Sequence, residues 1–172
     1  MVFGLLIALF LLVGHVMNRS TASAFAEASK DGKRNGILAL ELERDANRAA
    51  EMVGNWGERG RLRAAFSIGL DALFIVIYVG VLVLGCRMAA DGFAASGRPG
   101  LATLSACFAW VAVVAGMLDF IENYGLFRIL DGRAFGGWGI TSLCAWVKWA
   151  IVIPTLLYLI VTMCWLRGKF FT

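Results

Sequence analysis

Charged residues are scarce in this chain of 172 residues. They make up 16% of it, and hydrophobic residues make up 60%, whereas soluble globular proteins contain about 25% charged and about 45–50% apolar residues. The apolar residues are also collected into long runs. This composition excludes an ordinary soluble domain and predicts one integral membrane domain over residues 1–172.

Motifs of familiar catalytic and binding sites are missing as well. The sequence has no glycine-rich phosphate loop, nucleophile elbow, His-Glu-x-x-His or Cys-x-x-Cys pattern. Its four cysteines lie in or beside apolar runs without metal-ligand spacing, so we predict no disulfide. No basic stripe with interleaved aromatic residues is present. The net charge of +4 therefore predicts contact with membrane lipids and not with nucleic acid.

Four apolar runs predict an all-α transmembrane four-helix bundle, because a spanning helix needs roughly 17–25 residues and the bilayer core offers its backbone no water. The runs cover about residues 2–17, 64–88, 101–127 and 138–166. The first is short and is followed by Ala22-Ser23-Ala24, which is typical of a signal-peptide cleavage site. Because no Lys or Arg precedes it, we interpret the run as a first span or signal anchor.

The polar segment 18–63 separates the first two spans and is predicted to lie outside the bilayer. Between about residues 37 and 56 its apolar residues recur at spacings of three and four, which predicts an amphipathic helix. The apolar face consists of Leu38, Leu42, Ala46, Ala49, Val53 and Trp56. The opposite face consists of Glu41, Glu43, Arg44, Asp45, Arg48 and Glu51. We expect this helix to lie on the bilayer surface or to cap the bundle.

Four spans place both termini and the loop 88–100 on one side of the membrane, which we call side A. The segment 18–63 and the loop 128–137 then lie on the opposite side, side B. Side A carries four basic residues and side B carries eleven. The positive-inside rule therefore predicts that side B is cytoplasmic.

Ionisable residues inside a span cost about 2.5–3.5 kcal/mol each on insertion scales, so they usually face the bundle interior and often have a function. Five such residues occur here, and all fall in the half of the predicted spans nearer side B. They are His15, Asp71, Asp119, Glu122 and Lys148.

Helical spacing predicts that these groups point into the bundle. In the third span, polar and small residues form one stripe, and small residues mark the faces on which membrane helices approach closely. This stripe consists of Ser105, Ala109, Ala112, Gly116, Asp119 and Asn123. The predicted interior faces elsewhere are Gly4, Ala8, Leu11 and His15 in span one, Ser67, Asp71, Phe74 and Tyr78 in span two, and Thr141, Lys148, Thr155 and Thr162 in span four.

Three interpretations of the ionisable residues are open. A catalytic or proton-handling site would consist of Asp71, Asp119, Glu122 and Lys148. Three carboxylates against one lysine leave excess negative charge, which protonation, a bound cation or access to water would offset. His15, Asp71, Asp119 and Glu122 would instead bind a divalent metal through oxygen and nitrogen ligands. The same side chains could otherwise form a buried ion-pair network that only fixes helix register.

Three classes of function remain open on these grounds. The first is a membrane enzyme or an ion- or proton-coupled protein, with a divalent metal as the possible cofactor. The second is a non-catalytic accessory subunit of a membrane complex. The third is a protein that binds lipid or a small apolar ligand. A protein partner or a second copy of the chain would be compatible with each class.

Two short motifs occupy the second and third spans. They are Leu70-Asp71-Ala72-Leu73-Phe74 with Tyr78, and Leu118-Asp119-Phe120-Ile121-Glu122-Asn123. Together with Leu40-Glu41-Leu42-Glu43-Arg44 and Trp56-Gly57, they resemble segments of uncharacterised bacterial four-span integral membrane proteins. The resemblance extends from Leu40 to Asn123. It implies a four-helix architecture and a multi-pass location in the bacterial cytoplasmic (inner) membrane, but no particular activity.

Overall fold

The computed structural model describes the backbone of residues 2–25, 37–132 and 137–170, and the side chains of residues 3–16, 37, 39–132 and 137–165. Every element in these ranges is an α-helix. In chain order they are α1 Val2–Phe25, α2 Ile37–Glu41, α3 Ala46–Asn55, α4 Gly57–Ala95, α5 Pro99–Leu130 and α6 Trp138–Phe170. The predicted all-α class is confirmed for the described chain. Some basic residues behind the orientation prediction, including Lys30, Lys33 and Arg34, lie outside it.

Among the residues that the structure describes, three helices are long and apolar enough to cross a membrane. They are α4, α5 and the part of α6 from Trp138 to Trp165. This supports a multi-pass membrane protein. Each helix extends past the predicted apolar run at one or both ends, since polar end residues continue the helix beyond the apolar stretch. The apolar part of α1, Phe3–Val16, is shorter than the other three.

The long helices have an apolar surface and a polar interior. Trp110 is 74% exposed and Val161 is 68% exposed, whereas the charged side chains of Asp119, Glu122 and Lys148 are buried. Charged residues of soluble proteins are mostly on the surface. Lipid tails supply the apolar surroundings that suit this outer surface, which agrees with a membrane location.

Helix α4 is at the centre of the packing. Helices α1, α5 and α6 all contact it, and α5 also packs against α6. Glycines of α5 allow the helices to approach closely: a Cβ added at Gly116 would lie 2.6 Å from Val79 Cγ2, and one added at Gly125 would overlap Thr141. Small residues at such positions let membrane helices pack where lipid removes the hydrophobic driving force.

The interior faces predicted for α5 and α6 are confirmed. All six residues of the α5 stripe from Ser105 to Asn123 are buried, and so are the four residues of the α6 seam from Thr141 to Thr162. On α4, Ser67 and Tyr78 are buried and Asp71 is partly buried. Polar residues at helical spacing therefore identified the interior of the three long helices.

The interior face predicted for α1 is wrong. Its four residues are all exposed: Gly4, Ala8, Leu11 and His15. Helix α1 packs on α4 through larger side chains instead. The Phe10 and Phe74 rings stack with centroids 4.9 Å apart, and Leu6 lies against Gly80. The small residue at that contact belongs to α4, and the predicted small residues of α1, Gly4 and Ala8, do not lie at the interface.

The bundle has an apolar core that extends from its middle toward side A. Its buried members are Ile75, Tyr78, Leu82, Cys86, Ala89, Ala109, Ala112 and Leu159. These side chains come from α4, α5 and α6 and fill the space between the helices. The apolar core therefore separates the ionisable residues from side A.

The predicted single helix over 37–56 is divided into α2 and α3. The side chain of Asp45 accepts hydrogen bonds from the backbone N–H groups of Asn47 at 2.8 Å and Arg48 at 3.2 Å. This N-cap starts α3 as a new helix. The Glu43 carboxylate also accepts from the backbone N–H of Arg44 at 2.8 Å. Local bonding by these acidic side chains competes with a continuous helix.

Helices α2 and α3 pack over the side B end of the long helices. The apolar cluster there contains Leu40, Ala49, Val53, Trp56, Ala64, Ile68, Leu126, Ile129, Leu130 and Trp138. The indole N–H of Trp138 donates to the Glu43 carbonyl at 3.0 Å, which fastens the corner between α2 and α3 to α6. Leu40 is 1% exposed and Leu42 is 37% exposed. Because the helix is broken, α2 buries a different face from the predicted one.

Candidate functional site

Lys148 of α6 forms two contacts with carboxylates of α5. Its Nζ lies 2.7 Å from Asp119 Oδ1 and 2.8 Å from Glu122 Oε2. Asp119 and Glu122 are three residues apart, so they share a helix face and can reach the same ammonium group. All three side chains are buried. The structure thus brings three of the four predicted catalytic residues into direct contact.

The second oxygen of Asp119 connects this pair to α4. The hydroxyl group of Tyr78 donates a hydrogen bond to Asp119 Oδ2 at 2.9 Å. Asp119 therefore has one oxygen on Lys148 and the other on Tyr78. The single side chain links all three long helices at one depth.

Asp71, the fourth predicted catalytic residue, is held by an amide. Asn123 Nδ2 donates to Asp71 Oδ2 at 2.7 Å. Asn123 follows Glu122 on α5 and faces α4, whereas Asp71 is partly buried on α4. We call Asp71, Asp119, Glu122 and Lys148 the carboxylate cluster.

Glu122 is the least satisfied member of the carboxylate cluster. Its side chain is 0% exposed. Although Lys148 Nζ approaches Oε2, neither Glu122 oxygen has a hydrogen-bond partner of good geometry among the described residues. A buried carboxylate without such partners carries a large desolvation penalty in its charged form. Of the carboxylate cluster, Glu122 is therefore the side chain whose protonation would remove the largest desolvation penalty.

Glu41 of α2 is a further acidic residue whose charge is coupled to the carboxylate cluster. Burial is the main reason that the pKa of Glu41 is raised to about 8, and the charges of Glu122, Asp71 and Asp119 add to the rise while Lys148 opposes it. Apolar spacing predicts Glu41 on the solvent face of one long helix over residues 37–56. In the structure, Glu41 ends α2 beside the break at residues 42–45 and is partly buried.

His15 does not join these residues. It is exposed on α1, a helix that packs mainly against α4. Within the described ranges, no group of three or more His, Cys, Asp or Glu side chains is arranged to hold a metal ion. We therefore assign none of the predicted ligands His15, Asp71, Asp119 and Glu122 to a metal.

Negative charge exceeds positive charge at this site. With Glu41, the site contains four carboxyl groups, and Lys148 is the one ammonium group that contacts them in the described structure. Low-dielectric surroundings oppose such an excess unless protons or cations neutralise it. The arrangement is thus chemically suited to accept a proton.

Comparison with known proteins adds no identity to this geometry. No protein-family model matches the sequence, and neither the curated proteins nor the solved structures give a match to it.

Proposed function

We propose that this chain is a four-span membrane protein that binds and releases a proton at the carboxylate cluster. The observation that carries the proposal is the buried carboxyl of Glu122: among the described residues its Oε1 has no hydrogen-bond partner, and its Oε2 has a contact with Lys148 that Asp119 shares. Lys148 neutralises one carboxylate at most, and Asp119 is already held by Lys148 and Tyr78. A proton on Glu122 removes one negative charge that Lys148 does not balance.

The proposal includes α1 as the fourth span. Helix α1 packs beside the middle of α4, where Phe10 stacks on Phe74 and Leu6 contacts Gly80. Leu5, at 71% exposed, and the neighbouring apolar side chains of α1 then need lipid around them. On the resemblance and the positive-inside rule, we place the protein in the bacterial inner membrane with side B in the cytoplasm.

Proton exchange is expected on one side only. Toward side A, the apolar core around Leu82 and Leu159 contains no carboxylate among its buried members. Toward side B, an apolar cluster also covers the ends of the long helices, but α2 there contributes the partly buried carboxyl of Glu41, whose charge is coupled to the carboxylate cluster. This asymmetry fits acid–base chemistry or proton-linked conformational change at the cytoplasmic face, and it disfavours a continuous proton path across the membrane.

The residues have separate roles in this proposal. Glu122 accepts and releases the proton. Lys148 offsets the charge of Glu122 and Asp119, and Tyr78 orients Asp119. Asn123 holds Asp71, which adds negative charge near the site and so favours proton uptake.

Infrared difference spectroscopy tests the proposal directly. Purified protein in lipid nanodiscs is titrated between about pH 5 and about pH 9, and the carbonyl band of protonated carboxyl groups is followed. We expect one component of that band to titrate in the wild type and to vanish in Glu122→Gln. The control is Asp91→Asn, at an exposed acidic residue of α4. A wild-type spectrum with no Glu122-dependent component would contradict proton binding.

A purely structural network in an accessory subunit is the second candidate. The contacts of Asp119 with Lys148 and Tyr78 favour it, because they tie α4, α5 and α6 together whether or not a proton moves. In that case Glu122→Gln changes thermal stability but leaves no titrating component to lose. Purification without strong detergent should then retain a second polypeptide.

A further inference from the structure

Building on the proposed function, we propose that Glu41 is the group through which the carboxylate cluster exchanges its proton with water on side B. Glu41 belongs to α2, outside the three long helices, yet its charge is coupled to those of the carboxylate cluster. It is partly buried, whereas Glu122 is fully buried. Glu41 is thus the more accessible to water of the two carboxyl groups.

The packing of α2 fixes this position. Helix α2 contacts both α5 and α6, the two helices that carry Glu122 and Lys148. On one side of Glu41, Leu40 is inserted into the apolar cluster at the side B end. On the other side, the Glu43 carbonyl accepts a hydrogen bond from the Trp138 indole N–H at 3.0 Å. These anchors on both sides of Glu41 hold α2 against α5 and α6.

The charges around Glu41 decide its protonation state. Glu122 and Asp119 on α5, Asp71 on α4 and Lys148 on α6 act on it from the neighbouring helices. Burial and the three carboxylates outweigh Lys148 and raise the pKa of Glu41 to about 8, so Glu41 is mostly protonated at neutral pH. On its own segment, the Glu43 carboxylate is already used by the backbone N–H groups of Arg44 and Asp45.

The transfer step is a simple proton exchange. The carboxylic acid of Glu41 gives its proton to the carboxylate of Glu122, so Glu41 becomes a carboxylate and Glu122 becomes a carboxylic acid. Water on side B then returns a proton to Glu41. Lys148 remains an ammonium group throughout, and the net result is one proton moved from water to Glu122.

The equilibrium part of the test uses the same infrared titration. Glu41→Gln replaces the acid by a neutral side chain of the same shape, so we expect the fold to be kept and the component with a midpoint near the Glu41 pKa of about 8 to disappear. The matched control is Glu51→Gln on α3, where the glutamate is exposed and the spectrum should not change. Loss of no component in Glu41→Gln would overturn the proposal.

The kinetic part follows the Glu122-dependent component after a rapid pH jump. We expect its final amplitude to be kept in Glu41→Gln, and its rate to fall about a hundredfold for want of a proton-transferring group. Glu51→Gln should react at the wild-type rate, and Glu41→Asp, which keeps a carboxyl group, faster than Glu41→Gln.

Two results would separate the possible failures. A wild-type rate in Glu41→Gln, or equal slowing in Glu41→Asp and Glu41→Gln, would overturn the role of Glu41 as a proton carrier while leaving proton binding by Glu122 intact. If the wild type shows no Glu122-dependent component, the proposed function itself fails.

Discussion

The two halves of the helix bundle are built from the same three helices, but only the half near side B buries charged side chains among the described residues. Along α5, the half near side A buries Ser105, Ala109 and Ala112, whereas the half near side B buries Asp119 and Glu122. The side A half needs only close packing to hold the helices together. The side B half keeps charged groups that packing does not require, and this difference points to function there.

The two halves also differ in the kind of interaction that stabilises them. Small residues and apolar contacts stabilise membrane helices with little desolvation penalty. Buried ion pairs gain electrostatic energy but lose hydration, so their net contribution is often small, and removing one partner is costly. We therefore expect the side B half to be the more sensitive to changes of charge.

Replacing Lys148 should have the largest effect. Lys148→Met leaves Asp119 and Glu122 buried without their cation, and we expect a loss of about 3–5 kcal/mol in the free energy of unfolding. The control on the same α6 seam is Thr155→Val. The Thr155 hydroxyl donates only to the backbone carbonyl of Ile151 at 2.8 Å, so this change should cost about 1 kcal/mol at most. Unfolding in mixed micelles measures both.

Removing the charges of Asp119 and Glu122 together with that of Lys148 tests whether charge causes this loss of stability. If charge imbalance destabilises Lys148→Met, adding Asp119→Asn and Glu122→Gln should recover much of the loss, because the two carboxylates that Lys148 contacts are then replaced by neutral amides. Equal stability of the single and triple variants would mean that the lysine stabilises through packing alone. The contrast between the halves would then be one of shape and not of charge.

A medium effect is expected at the closest helix contact of the side B half. In Gly125→Ala, the new methyl group meets Thr141 of α6 and pushes α5 and α6 apart beside Glu122. Overpacking of this kind costs about 1–3 kcal/mol. Gly69→Ala on α4 is the matched control, because a Cβ there meets no atom within 4 Å. Thermal unfolding of the two variants in one detergent compares them, and equal melting temperatures would contradict close packing at Gly125.

The sequence predicts the interior face of a helix correctly where many residues of that helix repeat the same pattern. In α5 and α6, polar and small residues repeat over several turns, so both interior faces and the meeting of Asp119, Glu122 and Lys148 could be predicted. In α1, packing depends on Phe10 against α4 and on glycine in the partner helix. The pattern of one helix does not show which residues the partner helix contributes to their contact. For this reason, the pattern of α1 predicts His15 inside the bundle, where it does not lie.

The side B segment shows a second limit. Apolar spacing from residue 37 to 56 suits one helix, but the hydrogen bonds of Glu43 and Asp45 to nearby backbone N–H groups break it. Moving the break by one residue would change which side chain of α2 faces inward. The inward position of Glu41 therefore depends on a local capping choice that periodicity does not contain.

The smallest effect compares one chemical change in the two halves. Tyr78→Phe and Tyr158→Phe each remove one hydroxyl group. In the side B half, Tyr78 donates to the Asp119 carboxylate at 2.9 Å, and a hydrogen bond to a charged group is worth about 1.5–3 kcal/mol. In the side A half, Tyr158 bonds to the Ser105 hydroxyl at 2.6 Å.

That neutral bond is worth about 0.5–1.5 kcal/mol. Ser105 also keeps its bond to the Leu101 carbonyl at 2.9 Å, so no buried donor is left unpaired in Tyr158→Phe, and the ring of residue 158 can still stack on Phe108. We therefore expect Tyr78→Phe to lower the free energy of unfolding by about 1 kcal/mol more than Tyr158→Phe. The two variants are expected to differ in stability because Tyr78 bonds to a charged group and Tyr158 does not. Asp119→Asn should therefore remove most of this difference. A difference that persists in the Asp119→Asn background would mean that the two halves differ in packing around tyrosine and not in charge.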